Sequence, residues 1–181
     1  MALAFLDSFD IMLPKKVKEV VDMRRTDREV TDLAEIKAVL NDAQIVHLGL
    51  VDGGAPYVVP MHYGYTLADG RLTLYLHSAP EGRKLDVIRA DARVFVEIDV
   101  LDGMNPGGEL ACKYGAAYRS VMGSGRACIV TDAAEKARAL EILMRTQTGR
   151  DFAITGEMAA GVAVIRVDVD AFTAKRSPKR T

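Results

Sequence analysis

Hydrophobic and polar positions along the chain follow two rhythms. Leu33, Ile36, Val39 and Leu40 repeat with the period of one helical face, which predicts a short amphipathic helix with Thr31 at its N-cap and Asp32 in its first turn. The period then shortens. IVHLGLV (45–51), PYVVPMHYGY (56–65) and RLTLYLH (71–77) read as extended runs, separated by Asp52-Gly53-Gly54 and Ala68-Asp69-Gly70, which are hairpin turn sequences. Residues 84–90 predict a helix with Leu85 and Ile88 inward, and ARVFVEIDV (92–100) another strand. Residues 102–115, with four glycines and Pro106, read as a long loop. The strand YRSVMGSGRACIVT (118–131) carries Gly123 and Gly125, which suggest a bulge or a close approach. Asp132 caps a helix whose Ala137, Leu140, Leu143 and Met144 form a stripe, Gly149 stops it, and GVAVIRVDVDAFTA (161–174) supplies the last strand.

The early connections are too short for parallel crossovers. The expected fold is therefore mainly β with peripheral helices, an α+β chain of about six antiparallel strands in a closed or partly closed barrel. Three segments follow: an N-terminal extension over 1–22 (helix or arm), one domain over 23–172, and a basic tail over 173–181.

Composition narrows the function classes. The 181 residues are 49% hydrophobic and 27% charged, enough for one soluble core. With 24 Lys plus Arg against 25 Asp plus Glu, the net charge of -1 argues against nucleic acid or an anionic membrane as partner. No apolar run reaches the ~20 residues of a membrane helix, and MALAFLDSFDIM lacks the basic start of a signal peptide. Cys112 and Cys128 read as free thiols, so the expected location is the cytoplasm.

The chemistry concentrates in LYLHSAPEGRKLDVI. A strand ending at His77-Ser78 and a helix beginning near Arg83 bring a hydroxyl, an imidazole, Arg83, Lys84 and free helix N-terminal amides to one corner, which suits a phosphate. Cations at a helix start oppose the dipole, so an anion explains their presence better than solvation does. His47 reads as structural, and no carboxylate or cysteine clusters beside any of the three histidines along the chain, so no metal site is expected.

These residues resemble the flavin-binding split-barrel superfamily related to pyridoxamine phosphate oxidase. A strand-ending hydroxyl (Ser78), then a small residue (Gly82) followed by the basic pair Arg83-Lys84, matches its grip on the phosphate of FMN. The chain is similar in particular to the nitroimidazole-resistance branch, through Met23 to Val30, Gly49 to Pro60, His77 to Lys84 and Tyr118 to Gly125.

The resemblance implies an FMN-binding split β-barrel working as a homodimer, with the flavin in a groove between subunits. It implies ring contacts at Val59, Pro60 and Met61 through backbone and apolar surface, a polar contact from Ser120, phosphate contacts at His77, Ser78, Gly82, Arg83 and Lys84, and His62 on the reacting side as a flavin neighbour or proton donor. The expected activity is reduction of a small electron-poor substrate, such as a nitroimidazole or another nitroaromatic. Without GxGxxG, a nicotinamide nucleotide donor would bind only transiently. FAD in place of FMN, a deazaflavin, and a non-catalytic carrier of flavin or haem are the alternatives. The ending AFTAKRSPKRT lacks the arginine-containing substrate motif of true pyridoxamine phosphate oxidases, which disfavours vitamin oxidation.

Overall fold

A computed structural model describes residues 23–180, so the expected helix or arm over 1–22 lies outside the described residues. A 3-10 turn (Thr26–Arg28) leads into β1 (Glu29–Val30) and α1 (Leu33–Asp42). The meander β2 (Ile45–Asp52), β3 (Ala55–Ala68) and β4 (Arg71–Ser78) follows, then α2 (Arg83–Ala90) and β5 (Arg93–Asn105). A 3-10 turn (Ala111–Lys113), β6 (Gly115–Val130), α3 (Ala133–Thr148), α4 (Gly156–Ala160) and β7 (Ala163–Ser177) complete the chain.

The seven strands are ordered β1-β7-β4-β3-β2-β5-β6, every pairing is antiparallel, and β6 returns to β7. Strands β2 to β7 thus form a closed ring, and β1 adds to the distal part of β7 at Glu29–Lys175. The expected mainly-β split barrel is the observed fold. Its core takes alternate residues of each strand: Val46, Leu48 and Leu50 from β2, Leu72, Leu74 and Leu76 from β4, Val94, Val96 and Ile98 from β5.

Closure depends on the two glycines of β6. A Cβ at Gly123 would stand 2.6 Å from the carbonyl oxygen of Ala171, one at Gly125 would meet the Asp168 carbonyl, and the register shifts between Ser124 and Gly125. Both expected features, bulge and close approach, occur here, and the approaching backbone is that of β7.

Three boundaries differ from the sequence expectation. Asp32, not Thr31, caps α1, because its carboxylate accepts from Ala34 N at 2.7 Å. Strand β5 runs to Asn105, into the expected loop, because Gly103 at φ 130° absorbs a bulge after Leu101 and pairing with β6 resumes. Strand β7 continues to Ser177, five residues beyond the expected domain end at 172, with Ala174 buried in the core. The α3 stripe is also rotated slightly: Ala139 and Leu143 are buried, Leu140 and Met144 half-buried.

Tyr63 ties the barrel to α1. Its ring is fully buried, its hydroxyl donates to the carbonyls of Leu40 at 2.8 Å and Ala43 at 3.3 Å, and burial pushes its phenol pKa up. Tyr63→Phe is expected to cost about 1 kcal/mol, the net worth of the bond lost, read as a lower urea midpoint at unchanged slope.

Candidate functional site at the fork of the barrel

The β3–β4 ladder runs from Ala68–Arg71 to Tyr63–Leu76 and stops. Past it, β4 stays with β7 through Ser78, whereas residues 55–62 of β3 keep only β2 as a partner. The sheet forks there, and His62 and His77 are the first residues beyond the last shared pair. Both are exposed. Pro56 and Pro60 fit this position, since proline lacks the N–H of a central ladder and is confined to strand edges. The free edge of β3 leaves backbone groups available to a ligand that offers hydrogen-bonding atoms along one side.

The turn Ala79–Glu81 leads from the fork to the N-terminus of α2. Gly82 is the N-cap at φ 135°, a conformation side chains rarely adopt, and no side chain caps the helix. Leu85 N donates to the Gly82 carbonyl at 2.9 Å, so the amides of Arg83 and Lys84, with the partial positive charge of the helix end, are the ones open to an anion. Ser78 Oγ donates to the Ala79 carbonyl at 2.9 Å, and Lys84 is half-buried.

Arg83 is held in place by residues that the sequence reading missed. Its Nε donates to Asp52 Oδ2 at 2.7 Å, and its guanidinium lies 4.2 Å from the centre of the Tyr57 ring. Asp52 ends β2 and Tyr57 lies in the open stretch of β3, so the β2–β3 hairpin delivers both. These two contacts fix the plane of the guanidinium and leave its terminal nitrogens without a partner among the described residues.

The expected site residues divide. Ser78, Gly82, Arg83 and Lys84 meet at the corner, with His77 and His62 at the fork beside it. Pro60 and His62 face outward, but Met61 is buried and Val59 packs on the core, so only their backbone reaches the open edge. Strand alternation gives the Met61 side chain to the interior, which leaves its backbone as the part open to a ligand. Ser120 does not join the corner within one chain. It lies on β6 between Asp99 of β5 and Lys175 of β7, on another part of the barrel.

The acids that the chain order does not place beside His47 are brought there by the fold. His47 Nδ1 pairs with Glu97 Oε2 at 2.9 Å, directly across the β2–β5 ladder, and Asp99 follows on the same face. The acids come from fifty residues away, which no local pattern reveals. Around them the outer face of β3, β2, β5 and β6 exposes the apolar side chains of Val58, Phe95 and Met122. Farther along β6, Arg119 bonds Asp102 through two nitrogens and Asp42 through one, and holds the Asp102 carboxyl below its ordinary pKa by hydrogen bonding. No helix among the described residues is long and apolar enough to cross a membrane.

Comparison with known proteins agrees with this architecture. The family described as pyridoxamine 5'-phosphate oxidase matches residues 32–176. A candidate 5-nitroimidazole antibiotic resistance protein from Bacteroides thetaiotaomicron is 32% identical, with a TM-score of 0.68 over 82% of this chain and 86% of that one. A flavocytochrome from Azotobacter vinelandii (22% identity, TM-score 0.68, 88% of this chain, 75% of that one) shares the fold. So does an FAD- and haem-binding protein from Mycobacterium smegmatis (20%, 0.68, 85% and 77%). No curated protein matches the chain. The family match spans most of the barrel, from the helix that Tyr63 anchors to the strand that closes the ring, and the chain belongs to the pyridoxamine 5'-phosphate oxidase family.

Proposed function

We propose that the fork holds FMN and that the protein is a flavin-dependent reductase of small electron-poor molecules, nitroimidazoles or other nitroaromatics among them. The observation that carries this reading is the uncapped N-terminus of α2 with a pre-oriented Arg83, next to an open strand edge. A flavin mononucleotide offers a phosphate to the first and a hydrogen-bonding ring edge to the second. Bound FMN would supply the redox chemistry, taking electrons from a donor such as a nicotinamide nucleotide and passing them to the acceptor.

The chain's own residues bind and orient. Arg83 and Lys84 offer charge-assisted hydrogen bonds to phosphate oxygens, with Ser78 and the α2 amides beside them. The β3 edge from Val59 to Met61 contributes backbone donors and acceptors, and Pro60 an apolar surface. His62 and His77 stand at the rim of the fork, where either can exchange a proton with a small molecule. Ser120 belongs to the same site if a second copy docks through the outer face bearing Val58, Phe95 and Met122, so the working unit in this reading is a homodimer. The nitro class is favoured by the Bacteroides relative, the one neighbour described above that exceeds 30% identity.

The test is anaerobic. Protein loaded with FMN and reduced in the absence of oxygen is expected to regain its oxidised absorbance on addition of a 5-nitroimidazole, with the nitro compound consumed in proportion. Loaded protein that stays reduced with nitroimidazoles, other nitroaromatics and quinones would leave flavin binding standing and remove the reductase.

A further inference from the structure

We infer that Gln147 fixes the tautomer of His62, so that the neutral ring presents an unprotonated Nε2 at the fork. The amide of Gln147 reaches under β3 from the last turn of α3, where its Nε2 donates to the carbonyls of Tyr63 at 2.7 Å and Gln44 at 3.2 Å. Two carbonyl oxygens can only accept, so they hold the amide nitrogen toward themselves and turn its Oε1 away. Oε1 stands 3.1 Å from His62 Nδ1, and the Gln44 carbonyl stands 3.2 Å from the same nitrogen. Neither oxygen can donate, so Nδ1 carries the hydrogen and shares it between them. In the neutral ring Nε2 is then a bare lone pair on an exposed side chain.

The consequence runs against the expectation of a proton donor. A neutral His62 accepts a hydrogen bond, and any proton it delivers must first have entered at Nε2. A ligand group facing it is therefore an N–H or O–H donor. That step rests on the reading that the cofactor or substrate lies at the fork; the tautomer itself does not. Gln147 acts through His62 and is a positioning residue. Its reach depends on Gly64, where α3 lies against the strand so closely that a Cβ would meet the backbone of Leu143.

Ring-labelled ¹⁵N spectra of the full chain, flavin-free and FMN-loaded, test the inference directly, since the protein has three histidines and His62→Gln assigns the signal. The Nδ1–H form of neutral His62 is expected in about fivefold excess or more, the factor that one ordinary hydrogen bond sets. Gln147→Leu is expected to reduce that excess about twofold, because one of the two acceptors is lost and only the Gln44 carbonyl at 3.2 Å remains. Gln147→Met, which fills similar space but offers no amide, is expected to lower it equally, whereas a purely space-filling glutamine would be replaced by methionine without change in the ratio. A wild-type His62 in the Nε2–H form, or a tautomer ratio unchanged in the leucine variant while the protein stays folded, would overturn the inference. Absence of FMN binding would remove the cofactor reading and leave the flavin-free tautomer measurement intact.

Discussion

Gly64→Ala is expected to destabilise the protein by about 3 kcal/mol, the upper end of ordinary overpacking, and to lower its melting temperature by about 6 to 12 °C. The added Cβ would fall on the main chain of Ile142 and Leu143. No rotamer relieves that contact, because backbone is the obstacle, and α3 must lift from β3. Gly161→Ala is the control. Its φ is -74° and nothing lies within 4 Å of the added carbon, so its melting temperature should match wild type to within the ±0.5 kcal/mol usual for surface changes. A Gly64→Ala protein that melts with wild type would show that α3 does not sit on β3 at this spacing, and the support of His62 by Gln147 would fall with it.

Arg83→Ala is expected to weaken FMN binding by about 1.5 to 3 kcal/mol, roughly 10- to 150-fold in Kd, and to leave riboflavin binding unchanged. Riboflavin shares the ring and lacks the phosphate, so the pair of titrations isolates the phosphate from the rest of the site. Part of the loss comes from Asp52. Without its guanidinium partner at 2.7 Å, that carboxylate would face a phosphate bound at this corner as a bare negative charge. Asp52→Asn added to Arg83→Ala should recover some FMN affinity. Equal losses for FMN and riboflavin would place Arg83 against the ring or make it a structural residue, and no loss for either would move the phosphate elsewhere.

Much of the architecture is legible along the chain because it is local. Period-2 alternation in 45–51 and 71–77, the Asp-Gly turns between strands and the Asp132–Gly149 frame of α3 each depend on a few neighbouring residues. The corner is legible for the same reason: Ser78, Gly82, Arg83 and Lys84 lie within seven positions. What pairs with the corner is not local. Asp52 and Tyr57 arrive through a hairpin whose register brings them to Arg83, and Gln147 reaches His62 across 85 residues because Gly64 lets a helix settle on the strand. The fork had one signal, the prolines at 56 and 60, which mark an edge in a stretch that otherwise reads as a central strand. The β5 extension was hidden by Gly103, which reads as a loop residue in isolation and works as a bulge once β6 is alongside. Glu97 beside His47 had no sequence signal, since only the β2–β5 register joins them.

The most direct measurement is a visible absorption spectrum of the purified protein before and after addition of FMN, with mass analysis of the small molecule that heat releases. A flavin spectrum, with FMN released at one per chain, is the expected result and supports the fork as its site. A protein that carries no chromophore and leaves the absorbance and fluorescence of added FMN unchanged would contradict it, whatever the geometry at Arg83 suggests.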